Sequence, residues 1–149
     1  MCDMFNIYSI YAGWMTVSFG ERKNNYCFTH KNNEVVSLSY LDYVKQDLDY
    51  LFNLKDGETK NREFDLEGEF IRITTTCRDE GITIKMEYLY LPVGEEKIYK
   101  YNFPYQEFLK SYVDEMESQK ESYIKDFAYR EENFEWNTND WEEIVKKIK

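Results

Sequence analysis

From Tyr105 onward, apolar side chains fall at Phe108, Leu109, Tyr112, Val113, Met116, Tyr123, Ile124 and Phe127. This stripe keeps the period of an α-helix over about six turns. Pro104 suits the first helical position, where its missing N–H costs nothing. The other side carries Glu107, Lys110, Asp114, Glu117, Ser118, Glu121 and Lys125, so the helix must bury one face and wet the other. Whatever else the chain forms has to cover that apolar stripe.

The residues before it read as β structure. Met4 to Tyr11 is rich in Ile, Tyr and Phe, and after Ala12-Gly13 the run Trp14 to Phe19 alternates, with Met15, Val17 and Phe19 on one side. Tyr26 to Thr29 and Glu34 to Leu38 are two further short strands. Beyond a polar loop at Lys55 to Asn61, strands are expected at Glu63 to Leu66, Phe70 to Cys77, Ile82 to Leu91 and Ile98 to Phe103. In the second of these, Ile71, Ile73 and Thr75 alternate with Arg72, Thr74 and Thr76, and Arg78-Asp79-Glu80-Gly81 forms a tight hairpin turn into the next. Turns this short allow antiparallel pairing and no parallel crossover.

Two shorter helices complete the pattern. Ser39 and Asp42 resemble a capping box, and Leu41, Val44, Leu48, Leu51 and Phe52 form one apolar face. Asn139 and Glu142 open a last helix whose buried side is Trp141, Ile144, Val145 and Ile148. The expected fold is α+β, a single domain over 1–149. It has one mainly antiparallel sheet of about five to seven strands, packed by a central short helix, a long C-terminal helix and a short terminal helix.

Composition narrows the function. With 149 residues, 18% aromatic and only 2 Pro and 6 Gly, the chain can bury a core and does not read as disordered. It carries 29 Asp+Glu against 19 Lys+Arg, a net charge of −10. The first 38 residues are neutral, and 114–143 hold eleven carboxylates against Lys120, Lys125 and Arg130, a balance of −8. Such a surface repels phosphate backbones and anionic membranes and attracts basic proteins. Aromatic residues among acids suit a docking face. The candidate partner-binding residues are therefore Asp42, Tyr43, Asp47, Asp49 and Tyr50 on the first helix, with Asp114, Glu117 and Glu121 on the long one.

No chemistry-bearing motif competes with this. The chain has one histidine, His30, and no CxxC, HExxH, EF-hand, Walker, GxSxG or GxGxxG pattern. Cys2, Cys27 and Cys77 are too few and too scattered for a disulfide framework, and Cys77 reads as a small buried hydrophobe. The pairs Asp47/Asp49 and Glu67/Glu69 are what 29 acids produce by chance. No catalytic residue, metal or cofactor is expected. The N-terminus lacks a basic region followed by an apolar run, and the longest apolar stretch, around Tyr88 to Val93, cannot span a bilayer, so the expectation is a cytoplasmic protein.

The order of elements resembles small immunity proteins of bacterial polymorphic-toxin and contact-dependent inhibition systems. The resemblance runs over roughly 14–145. It lies in an antiparallel strand pair and a helix beginning Ser39-Tyr40-Leu41 and continuing Asp47-Leu48…Leu51. A Gly68-Glu69-Phe70 strand opening, a hairpin and a long C-terminal helix follow, with a tryptophan near the end, Trp141. It implies a non-catalytic cytoplasmic protein that binds a cognate toxin domain, often a nuclease, and blocks its active site or substrate surface. Two alternatives stand beside it: an acidic nucleic-acid mimic inhibiting a DNA-binding protein, which Lys110, Lys120 and Lys125 would interrupt, and a small-ligand-binding α+β domain with an aromatic-lined pocket.

Overall fold

The computed structural model describes residues 4–11, 14–20, 26–29, 51–65, 68–119, 121, 122, 125 and 146. Within them the hydrophobic patterning produces seven strands and one well-formed helix. The strands are β1 (Phe5–Tyr11), β2 (Trp14–Phe19), β3 (Tyr26–Thr29), β4 (Thr59–Asp65), β5 (Phe70–Arg78), β6 (Gly81–Leu89) and β7 (Ile98–Pro104), followed by α1 (Tyr105–Ser118). All pairings are antiparallel, and the class is α+β as expected.

The strands form two sheets, β1-β2-β3 and β4-β5-β6-β7, where a single sheet was expected. Aromatic packing between the two gives the physical reason. Phe19 of β2 lies 5.5 Å from Tyr101 of β7, and Tyr26 of β3 meets Tyr88, Tyr99 and Tyr101. Rings of this size bury more area packed across a layer than extending one sheet edge to edge.

Alternation in the larger sheet follows the register. Ile71, Ile73 and Cys77 of β5 are buried beside Ile82, Ile84 and Met86 of β6, while Tyr99, Tyr101 and Phe103 extend the same face along β7. The opposite face is polar. Arg72 spans three strands, donating to Glu63 at 2.6 Å and to Glu87 at 3.2 Å, and the Thr59 and Thr76 hydroxyls meet at 3.0 Å. The hairpin at Arg78–Gly81 has Asp79 at φ 52 and Glu80 at φ 65, the left-handed pair that a two-residue turn between twisted strands requires.

The helix α1 buries Tyr105, Phe108, Leu109, Tyr112, Val113 and Met116, the first six residues of the stripe read from the sequence. It packs chiefly on β1, with smaller contacts to β7 and β6. Phe108 is fully buried at the junction, with ring centroids of Phe52 at 5.2 Å, Phe103 at 5.5 Å and Phe19 at 6.3 Å. Two polar helix residues finish the edge of β1: Ser111 Oγ accepts the Met4 N–H at 3.2 Å and Glu115 Oε1 accepts the Ile7 N–H at 3.3 Å.

Some expectations need correction. Pro104 is the N-cap of α1 and the last residue of β7, with ψ 130, and not the first helical residue. The Tyr105 N–H bonds to the Glu80 carbonyl at 2.8 Å, so the hairpin turn fixes where the helix starts. At the other end the stripe is interrupted: α1 closes at Ser118, with Gln119 as C-cap. There the Ser118 hydroxyl bonds back to the Glu115 carbonyl at 2.8 Å. Glu121, Ser122 and Lys125 are helical beyond it, while Tyr123, Ile124 and Phe127 lie outside the described residues. β4 begins at Thr59, inside the segment expected to be loop.

The strand at Glu34 to Leu38 lies outside the described residues. So do the central helix, apart from buried Leu51 and Phe52, and the terminal helix, apart from exposed Lys146.

Candidate partner-binding surface

Burying six residues of α1 leaves its other side in solvent. Glu107, Lys110, Asp114 and Glu117 are all exposed there, three or four residues apart, and helical Glu121 continues the spacing, also exposed. Four of these five side chains are carboxylates. Of the three helix candidates, Asp114 and Glu117 are thus on the solvent-facing side of α1, where Lys110 separates them from Glu107, and Glu121 is exposed beyond the C-cap at Gln119. Glu115, one position away from Asp114, turns inward to the Ile7 N–H and belongs to the fold. The other five candidates, Asp42, Tyr43, Asp47, Asp49 and Tyr50, lie outside the described residues.

A second exposed surface was not legible as a site. Beyond β6, Tyr90 is 78% exposed and Val93 wholly so, and Pro92 and Gly94 are exposed too. The backbone here is held: the Glu95 N–H donates to the Pro92 carbonyl at 3.0 Å, and Gly94 sits at φ 90 in the third position of that turn. At its base the Tyr88 N–H donates to the Lys97 carbonyl at 3.0 Å. The hydrophobicity of this segment reads in the sequence as continuation of a strand and its closing turn. Only the Pro92–Gly94 pair signals that it stands out into solvent.

The interior offers structure in place of chemistry. Tyr105 is buried, accepts the Leu54 N–H at 2.8 Å and donates to the Phe52 carbonyl at 2.7 Å. Buried Thr75 donates its hydroxyl to the Leu51 carbonyl. These two hydroxyls clamp the 51–54 segment against the sheet. Burial pushes the Tyr105 phenol above its ordinary value, and it raises Tyr26 strongly, helped by the Tyr101 hydroxyl 2.5 Å away. Neither phenol is poised to ionise near neutrality.

Cys77 is buried as expected. Burial pushes its thiol up, with Asp56 and Glu58 adding to the shift, the opposite of what a nucleophile needs. The one histidine, His30, lies outside the described residues.

A depression of about 410 Å³ is lined by Thr76, Arg78, Gly81, Ile82, Thr83, Asn102 and Phe103. It opens to solvent on the polar side of the sheet, where Thr83 and Asn102 already bond to each other at 2.7 Å, and no carboxylate converges on it. Among the described residues there is no group of three or more His, Cys, Asp or Glu placed to hold a metal, and no helix long and apolar enough to cross a membrane.

No protein-family model matches the chain, and neither a curated protein nor a solved structure is significantly similar to it.

Proposed function

We propose that this protein is an inhibitor of the immunity type, which binds a basic toxin domain in the cytoplasm and neutralises it by covering its substrate surface. Nuclease toxins are the natural class of partner, because they need a cationic face for phosphate that carboxylates can occupy. The observation that carries this reading is the solvent-facing side of α1, where Glu107, Asp114 and Glu117 are exposed while the opposite side of the helix is buried, with Glu121 exposed beyond its end. The net charge of −10 supports it, since long-range attraction would guide a cationic domain onto such a face. No cofactor enters the proposed mechanism, which is occlusion.

The proposal predicts that the gene immediately upstream encodes a toxic effector domain, and the test is co-expression with that domain. The wild-type chain should restore growth to cells producing that domain. The triple variant Asp114→Asn, Glu117→Gln, Glu121→Gln should bind it more weakly at unchanged thermal stability. If the wild-type chain gives no protection, or the triple variant binds as tightly, the proposal fails.

A further inference from the structure

We infer that the turn carrying Tyr90 and Val93 is an anchor that seats in an apolar pocket of a cationic protein, with Glu69, Glu95 and Glu96 as its acidic rim. That the partner is a toxin domain rests on the function proposed above; the placement of the anchor does not. Three observations lead here. First, Tyr90, Pro92 and Val93 are consecutive or nearly so and all exposed, whereas most large apolar side chains of the fold are buried.

Second, the turn is built to hold them. Tyr90 has φ 57, a conformation that favours glycine or asparagine, yet the position keeps an aromatic ring. That ring stands edge-on to Phe70, at 5.1 Å between centroids and 88° between planes. With the Pro92–Glu95 turn closed by its hydrogen bond, Val93 occupies the apex of an ordered loop. A side chain held this way loses little freedom on binding, which is what an efficient anchor requires. Backbone strain at a residue exposed to solvent adds nothing to the core, so its use is presentation.

Third, charge selects the occupant. Glu69, Glu95 and Glu96 are exposed around the turn, and the adjacent cation, Lys97, lies over the Tyr88 ring at 5.7 Å from its centroid. A second copy meeting this patch symmetrically would set one acidic rim against another. An anionic bilayer would be repelled in the same way. A protein with a basic rim and an apolar pocket satisfies both the charge and the side chains.

The experiment is site-specific photo-crosslinking of the full chain in its native host. The photoreactive residue p-benzoylphenylalanine is placed at position 93, at 114 on the α1 stripe, or at 100, an exposed position on the polar side of β7. The expected result is one adduct at 93, absent at 100, whose partner is identified by peptide mass spectrometry as a protein with an isoelectric point above about 9. Its yield should fall at least about tenfold in Tyr90→Asn, which tolerates the left-handed backbone and should keep the wild-type Tm. An adduct at 114 and none at 93 overturns the anchor and leaves the α1 face standing, whereas the reverse overturns the α1 face alone. An acidic partner, a lipid or a second copy at 93 overturns the inference, as does a yield unchanged by Tyr90→Asn.

Discussion

Replacing Tyr105 by phenylalanine removes one oxygen and leaves the ring in place, so its cost isolates the hydroxyl clamp on the 51–54 segment. The wild-type hydroxyl accepts the Leu54 N–H at 2.8 Å and donates to the Phe52 carbonyl at 2.7 Å, at a residue only 8% exposed. Phe52 is fully buried and Leu54 nearly so, so water cannot replace either bond without local opening. Each of the two stranded backbone groups costs about 1–3 kcal/mol, which puts the variant about 2–6 kcal/mol below wild type. For a chain of this length that lowers Tm by roughly 5–20 °C. Urea unfolding followed by circular dichroism should show the midpoint fall with an unchanged m value. A loss under about 0.5 kcal/mol, the range of ordinary surface substitutions, would show that the clamp does not hold the segment.

The clamp also predicts a pH dependence. Burial raises the Tyr105 and Tyr26 phenols above their ordinary value of 10.0. Their contribution is therefore complete below pH 10 and lost as pH rises from there through the folded-state values. The alkaline loss of stability should be shallower in Tyr105→Phe than in wild type.

Three other outcomes follow from the packing. Phe108→Ala empties the junction of helix and sheets and should cost about 3–5 kcal/mol in urea unfolding; a loss under about 1 kcal/mol would mean the ring cluster is not the centre of the core. Glu80→Gly relieves a left-handed backbone at φ 65 while keeping the carbonyl that receives the Tyr105 N–H, and calorimetry should show a gain of about 0.5–1 kcal/mol, with destabilisation refuting the turn geometry. In a Cys2→Ser, Cys27→Ser background, Cys77 should react with a disulfide reagent at pH 8 only at the rate of unfolding, and rapid modification of the native protein would contradict its burial.

How much of this was legible in the sequence depended on whether burial was one-sided and local. β5 shows in the alternation of Ile71, Ile73 and Thr75 with Arg72 and Thr74 because one face of that strand is core and the other polar. α1 shows in its six buried residues for the same reason. β4 did not show at its start: as the edge strand, its inward positions include Lys60 and Arg62, opposite Thr75 and Ile73, so no apolar rhythm marks Thr59 to Arg62. The division into two sheets was hidden because alternation tells which face a residue takes and nothing about which strand lies beside it. Thr75 and Tyr105 look like ordinary core-edge residues until their backbone partners 24 and 51 residues away are seen.

The candidate site divided in a similar way. Spacing alone puts Asp114, Glu117 and Glu121 on one wet helix face; in the fold Asp114 and Glu117 are exposed on α1, and Glu121 is exposed beyond its end. For Tyr90 and Val93 the sequence points elsewhere, because apolar residues after a strand read as more strand. It takes the left-handed backbone at Tyr90 and the turn at Gly94 to bring them into solvent.

The central claim is that an acidic exterior recruits a cationic protein, and the association rate tests it most directly. Stopped-flow mixing with the upstream-encoded effector domain should give a rate constant that falls about ten- to a hundredfold between about 0.02 M and 0.5 M salt as the attraction is screened. In the Asp114→Asn, Glu117→Gln, Glu121→Gln variant that slope should flatten. A rate constant independent of salt, or a slope unchanged in the variant, would contradict the account.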